Sequence, residues 1–308
     1  MATFISVLET ALPVFLALAL GMLCRSRNFL SREGVDALKK VVINLTLPFV
    51  LVNAFATAEY SVSALLLPAL MFFICCLALG LGFLAVRIFR IKGRLTPFLA
   101  SGFEAGMLGY ALFVLLFPDV RVASFALPDI GQTLFVFTLY KILLSGKRDW
   151  KAIGKDMATT PILWAVVAGV LLGATGLYGK LEQWGISGVL NACTDFLSAP
   201  TGMVILLTVG YDLVIREIPW KKTAGFIVMR LVIMVICYAV AVALNRLVLG
   251  NVLFEGAMLL MLILPPPYVI PIFADEPSER VQVSSTLSAL TLVTILLFAV
   301  CSVVLNVA

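Results

Sequence analysis

Residues Phe103–Phe113 read FEAGMLGYALF, and residues Leu264–Asp275 read LPPPYVIPIFAD. Each interrupts a stretch that is otherwise long and apolar enough to cross a bilayer. The first break holds glycines and a carboxylate. The second holds a cluster of prolines. Lipid cannot hydrogen-bond to backbone, so an unwound stretch at membrane depth survives only inside protein or beside a water-filled cavity. Paired interruptions at corresponding places in two halves of a chain are the best sequence pointer to the binding site of a secondary transporter.

Composition agrees with a membrane reading. Of 308 residues, 62% are hydrophobic and 13% are charged, where a soluble domain has about 25% charged residues. Mean hydropathy is +1.11. The first apolar stretch, Phe4 to Cys24, lacks a basic leader and is followed by many more, so it reads as a true span. The net charge of +5 reflects basic loops, and a nucleic-acid partner is not expected. The cysteines, Cys24, Cys75, Cys76, Cys193, Cys237 and Cys301, form no CxxC pair and read as small hydrophobes. Histidine is absent. That removes the commonest metal ligand and general base, so neither a metal nor another cofactor is expected.

A span needs about 20 apolar residues. The pattern predicts ten: 3–24, 36–57, 62–88, 95–118, 122–144, 159–178, 186–213, 222–249, 254–275 and 281–306. Ser31 is a candidate N-cap, with Glu33 and Asp36 in the first turns. Basic residues alternate between loops. Arg25, Arg27, Arg32, Lys39 and Lys40 follow span 1, and Arg87, Arg90, Lys92 and Arg94 follow span 3. Lys147, Arg148, Lys151 and Lys155 follow span 5, and Arg216, Lys221 and Lys222 follow span 7. The intervening loops hold Glu59, then Asp119 with Arg121, then Lys180 with Glu182, then Arg246 with Glu255. The excess places the rich loops in the cytoplasm, with N- and C-termini outside a cell membrane crossed many times. The turn after span 9, with Asp275, Glu276, Glu279 and Arg280, does not discriminate.

Five spans per half is odd, so the second half would be inverted relative to the first. The expected division is 1–150 and 151–308. Pro13 opens span 1 and Pro161 opens span 6. Leu45-Thr46-Leu47-Pro48 in span 2 matches Leu197-Ser198-Ala199-Pro200 in span 7. The fourth and ninth spans then correspond, with Gly106 and Pro265 at equal depth. Two breaks at one depth would let these helices cross at Gly106–Gly109 and Pro265–Pro271. Their half-helix N-termini, each equivalent to roughly +0.5 charge, would face one central site. The fold class is an all-α polytopic membrane protein of ten helices, in two inverted five-helix repeats.

Among polar residues within spans, Glu104 stands out. An ionisable residue there costs about 2.5–3.5 kcal/mol on insertion scales, and its default reading is functional. It is the candidate for taking up and releasing a proton. The bland alternative is a neutral side chain bonded to a neighbouring helix. Asp129 and Gln132 share a helix face and are further coupling candidates, although Asp129 also reads as a helix-end residue after Pro128. Ser284, Ser285, Thr286 and Ser288 in span 10 either present hydroxyls, with Ser285 the coupling candidate, or permit close packing. Asn44 and Asn53 flank Pro48, and Asn44 could face the substrate path. Asp195 could do so from the inverted copy. Arg230, eight residues beyond Lys222, reads as snorkelling to the interface. Gly169 and Gly173 read as a packing face. The substrate-facing set is thus Glu104, Gly106, Gly109, Tyr110, Pro266, Pro267, Pro271 and Asn44.

Three stretches carry a family resemblance. PVFLALALGMLCRSRNFLSREGVDALKKVVINLTLPFVL (Pro13–Leu51), FALPDIGQTLFVFTL (Phe125–Leu139) and ADEPSERVQVSSTLSALTLVT (Ala274–Thr294) resemble, in order, the start, fifth span and last span of the auxin efflux carrier family, whose bacterial members are permeases for malate, malonate and related compounds. The resemblance implies a ten-helix fold related to bile-acid symporters and sodium/proton antiporters. Helices 1, 2, 6 and 7 would form a scaffold, through which homodimers form. Helices 3–5 and 8–10 would form a mobile transport unit, with substrate beside the crossover. The family's fourth-span motif, Asn-Thr-Gly-x-x-Gly-x-Pro, appears here as Glu104-Ala105-Gly106-Met107-Leu108-Gly109-Tyr110-Ala111. Glycine spacing is kept, Asn becomes Glu104, and the proline becomes Ala111. Pro271 matches the ninth-span proline.

The reading is a secondary transporter of elevator type for a small organic solute, an organic acid by the charge of the half-helix ends, with coupling to a proton or Na+. A uniporter or facilitative channel is the alternative. An enzyme fits less well, because histidine is absent and carboxylates are scattered; with no G-x-x-x-x-G-K-[ST] sequence, ATP hydrolysis by the chain is not expected either.

Overall fold

The structure is a computed structural model. It describes residues 2–58, 66–91, 93–145, 155, 158–213, 215, 218–274 and 276–307. Glu59, Lys92, Lys147, Arg148, Lys151, Arg216 and Asp275, used above in reading the loops, lie outside the described residues. All regular structure among the described residues is helical.

Seven helical stretches among the described residues are long and apolar enough to cross a membrane: Leu8–Ser26, Leu67–Ile88, Thr96–Leu116, Ala123–Leu144, Ser187–Asp212, Trp220–Leu249 and Ser278–Val304. Pro161–Ala174 and Leu177–Gln183, bent by 66°, make an eighth if taken as one span. The expected second and ninth spans are not among these stretches. The ninth is helical for only nine residues, Glu255–Ile263, before it breaks.

The chain divides into two compact units. The first comprises Met1–Leu65, Gly106–Leu127 and Trp150–Asp212. Its helices are α1 (Ala2–Ser26), α2 (Arg32–Val41), α3 (Leu47–Ala56), α5 (Tyr110–Leu116), α8 (Pro161–Ala174), α9 (Leu177–Gln183), α10 (Ser187–Ser198) and α11 (Thr201–Asp212). Ser31 caps α2, accepting the Gly34 N–H at 3.1 Å. Hydrogen bonds from its own backbone N–H and from the Ser31 hydroxyl hold the Glu33 carboxyl below its ordinary range. A π-helical turn, Val42–Thr46, joins α2 to α3.

Glycine lets two helix pairs of this unit meet backbone to backbone. A Cβ at Gly21 of α1 would lie 2.7 Å from Tyr211 N of α11 and closer still to Leu207 O. A Cβ at Gly210 would lie 2.7 Å from Leu18 Cα. In the other pair, a Cβ at Gly169 of α8 would lie 2.7 Å from Phe55 Cβ and 2.9 Å from Val52 O of α3. Within a bilayer, where helices gain nothing by leaving water, such close packing drives association. At the end of α11, Asp212 pairs with both Arg32 and Lys39, and the Tyr211 hydroxyl donates to Leu30 O at 3.2 Å.

The second unit comprises Leu66–Ala105, Pro128–Asp149 and Leu213–Ala308. Its helices are α4 (Leu67–Ile88), most of α6 (Ala123–Phe135), α7 (Lys141–Ser145), α12 (Trp220–Leu244), α13 (Glu255–Ile263) and α14 (Pro277–Val307). Phe98, Phe135 and Tyr140 pack as an aromatic cluster, with Phe98–Tyr140 centroids 5.3 Å apart and edge to face. The buried Tyr140 hydroxyl donates to Phe98 O at 2.7 Å. At one end of the broken fourth span, Arg94 donates to Leu144 O at 2.8 Å and also to Phe273 O. The Glu279 carboxylate there accepts the Leu95 N–H at 3.2 Å.

Candidate functional site

Both expected breaks are present. The fourth span begins as a 3-10 helix, Thr96–Ala100, leaves helix over Ser101–Glu104, and resumes as a π-helical turn, Ala105–Gly109, before α5. The unwound residues therefore precede Gly106–Gly109. Gly102, not singled out from the sequence, makes the break: its φ is +70°, and a Cβ there would lie 2.9 Å from Pro267 Cδ and Cγ. The ninth span ends α13 at Ile263, is unwound through Leu264–Pro267, and turns into a short 3-10 helix, Ile270–Phe273.

The breaks touch within the second unit. The Glu104 backbone N–H donates to Pro265 O at 2.9 Å. The Glu104 carboxylate accepts the Tyr268 backbone N–H at 2.7 Å. Unwinding frees carbonyl oxygens, and side chains from other helices take them. Gln132 of α6 donates to Phe103 O. Thr294 of α14 donates to Ile263 O at 2.6 Å. Ser101 returns a hydroxyl to Cys75 O of α4 at 2.6 Å. A buried polar backbone group left unpaired costs as much as a lost hydrogen bond, and these side chains remove that cost.

Arg230 corrects the sequence reading most sharply. It does not snorkel: it is 2% exposed. Its guanidinium donates to Leu99 O at 2.8 Å, Gly102 O at 2.9 Å and Leu264 O at 2.8 Å. Its Cζ stands 5.5 Å from the centre of the Phe103 ring. One side chain on α12 thus joins both breaks. Leu99 and Leu264 close the first halves of the two broken spans, where helix dipoles are negative, so a cation is favoured there. The signal available in the sequence was the arginine's position inside an apolar run.

The remaining expected residues fall as follows. Pro266 and Pro267 are buried at the second break, and Pro271 lies in the short 3-10 helix after it. Asp129 and Gln132 are buried on α6, so Asp129 is not a helix-end residue. Ser285 does not reach the breaks through its hydroxyl, which donates to Val281 O one turn back. Gly106, Gly109 and Tyr110 belong to the first unit, where the Tyr110 ring packs edge to face on Phe125 at 5.0 Å. Asn44, also in that unit, is exposed, and its amide donates to Lys40 O at 2.8 Å. Its side chain is thus engaged one turn back along its own helical segment. Tyr268 was missed. Its hydroxyl lies 2.9 Å from that of Thr291 on α14.

Residues 6–157 match the family model described as membrane transport protein. The match covers just under half of the chain and takes in the first two of the three stretches that resemble the auxin efflux carrier family. An uncharacterized transporter of Methanothermobacter thermautotrophicus is 26% identical over 221 residues, covering 69% of this chain and 70% of that protein. With its apolar helices, the chain is a multi-pass membrane transport protein embedded in lipid.

Proposed function

We propose that this protein is a secondary carrier for a small organic acid, with the solute bound beside the two breaks. The observation that carries the proposal is the Glu104 N–H to Pro265 O bond at 2.9 Å, which joins two interrupted spans from opposite halves of the chain. In carriers built on broken helices, the half-helix N-termini at the breaks favour an anionic solute.

An inverted repeat with crossed fourth and ninth helices is part of the proposal. Its support lies in the first unit. Gly21 and Gly169 are 148 residues apart, as are Pro13 and Pro161. Gly21 packs on Leu207, and Gly169 packs on Phe55. Leu207 and Phe55 are 152 residues apart, as are Pro200 and Pro48. The first helix meets the seventh as the sixth meets the second, which is what two copies of one motif would do.

The elevator mechanism has a related support. Helices 1, 2, 6 and 7 fall in one compact unit, and helices 3 and 8–10 in the other. Residues 106–127 join the first group, so the moving body we propose excludes the second half of helix 4 and the start of helix 5. Assembly as a homodimer through helices 1, 2, 6 and 7, with both termini outside, completes the reading. Glu104 is proposed as the proton-coupling residue. One observation favours a second reading, a uniporter: the Glu104 carboxylate already serves the Tyr268 amide. Uptake of radiolabelled mono- and dicarboxylates into proteoliposomes tests the proposal. Saturable uptake that accumulates with an imposed proton gradient supports it. Saturable uptake that only equilibrates selects the uniporter, and no uptake of any acid overturns the substrate class.

A further inference from the structure

From the contacts of Arg230 we infer that the carbonyl oxygens of Leu99, Gly102 and Leu264 form a monovalent-cation site that is filled by this chain's own guanidinium. In carriers built on broken helices, unwound carbonyls and the C-terminal ends of half-helices are what coordinate a coupling Na+. Here the same chemical groups converge, from both breaks, at 2.8–2.9 Å from guanidinium nitrogens. The group is buried, and among the described residues no carboxylate forms an ion pair with it. Its charge is balanced by carbonyl dipoles and by the Phe103 ring beside it. Guanidinium is planar and always charged, and its fork reaches several acceptors at once. A tethered cation of this kind cannot load and unload during a cycle. The site therefore holds the breaks together permanently, and Na+ has no place in it.

This goes beyond the transport proposal, and it is tested without any solute. Melting of the purified full-length protein is measured in NaCl and in choline chloride of equal ionic strength. The wild type melts at the same temperature in both. Arg230→Ala melts lower, and free guanidinium chloride at millimolar concentration recovers at least half of the loss, whereas choline recovers none. A wild type raised by Na+ over choline overturns the assignment. So does an alanine variant that melts as the wild type or gains nothing from guanidinium. Arg230→Lys gives a second measurement should the alanine variant fail to fold. An ammonium is a point charge without the planar fork, so this variant melts below the wild type and is indifferent to Na+. A lysine variant equal to the wild type, or one that Na+ stabilises, overturns the assignment equally. Because no solute enters these measurements, their failure leaves the carrier proposal standing, and failure of uptake leaves them untouched.

Discussion

The Glu104 carboxylate accepts the backbone N–H of Tyr268 at 2.7 Å, so the one carboxylate at the fourth-span break holds the backbone of the ninth-span break. Any proton taken up by Glu104 changes a bond that joins the two. A neutral acid keeps a carbonyl oxygen that accepts, but the bond loses its charge assistance, which roughly doubles such a bond's strength. Protonation therefore loosens the pair without dissolving it.

Glu104→Gln keeps an acceptor for Tyr268 and removes titration. If Glu104 couples transport to protons, this variant folds, binds solute with an affinity that no longer changes between about pH 5 and 8, and loses proton-driven accumulation. Binding by isothermal calorimetry and uptake under a pH gradient read the two effects. Unchanged pH dependence makes the residue structural. Glu104→Ala removes the acceptor as well, and costs about 1–3 kcal/mol for the stranded amide. It should melt below the glutamine variant.

Gly102 and Gly106 separate strain from mere proximity to the break. Gly102→Ala puts a Cβ 2.9 Å from two Pro267 carbons at a φ of +70°, and should cost about 1–3 kcal/mol. Gly106→Ala meets only Leu47 Cδ2 at 3.7 Å, an ordinary contact, and should melt within a degree or so of the wild type. Equal losses at both positions would mean that the left-handed turn at Gly102 does not define the break.

The membrane class and the existence of two breaks were legible from the sequence, because apolar length and the punctuation by Gly and Pro are local properties. The site of unwinding was not. Gly106 and Gly109 carried the family spacing, but the decisive features of Gly102 are its left-handed φ and its approach to Pro267, which no spacing encodes. Arg230 was misread for a similar reason. Its distance along the chain from Lys222 fits snorkelling, and only the fold brings three freed carbonyls to it. Polar side chains that serve their own helix, such as Asn44 and Ser285, look the same in sequence as those that serve another.

The helix contacts of the first unit should be intolerant of volume. Gly21→Val and Gly210→Val each force a side chain into a neighbouring backbone, and overpacking of this kind costs about 1–3 kcal/mol or more. Gly80→Ala, where nothing lies within 4 Å, is the control. Melting should fall by several degrees for the valine variants and hold for the control. Tolerance at Gly21 would remove the contact on which the repeat argument leans.

An elevator movement makes a claim about what can be tied together without harm. Cys237 of α12 lies 4.0 Å by its sulfur from Ile74 O of α4, and both belong to the second unit. In the double-cysteine protein Ile74→Cys, with Cys24, Cys75, Cys76, Cys193 and Cys301 replaced, a short bis-methanethiosulfonate reagent is used to bridge these helices through two disulfides, which a reductant reverses. If the second unit travels as one body, the bridged protein keeps its uptake in proteoliposomes, with mass spectrometry confirming that the bridge has formed. If helices 3 and 8 must slide past each other to gate the site, the bridge abolishes uptake, and reversal of the linkage restores it. That second result would replace the rigid moving unit with a local gate, whatever the solute.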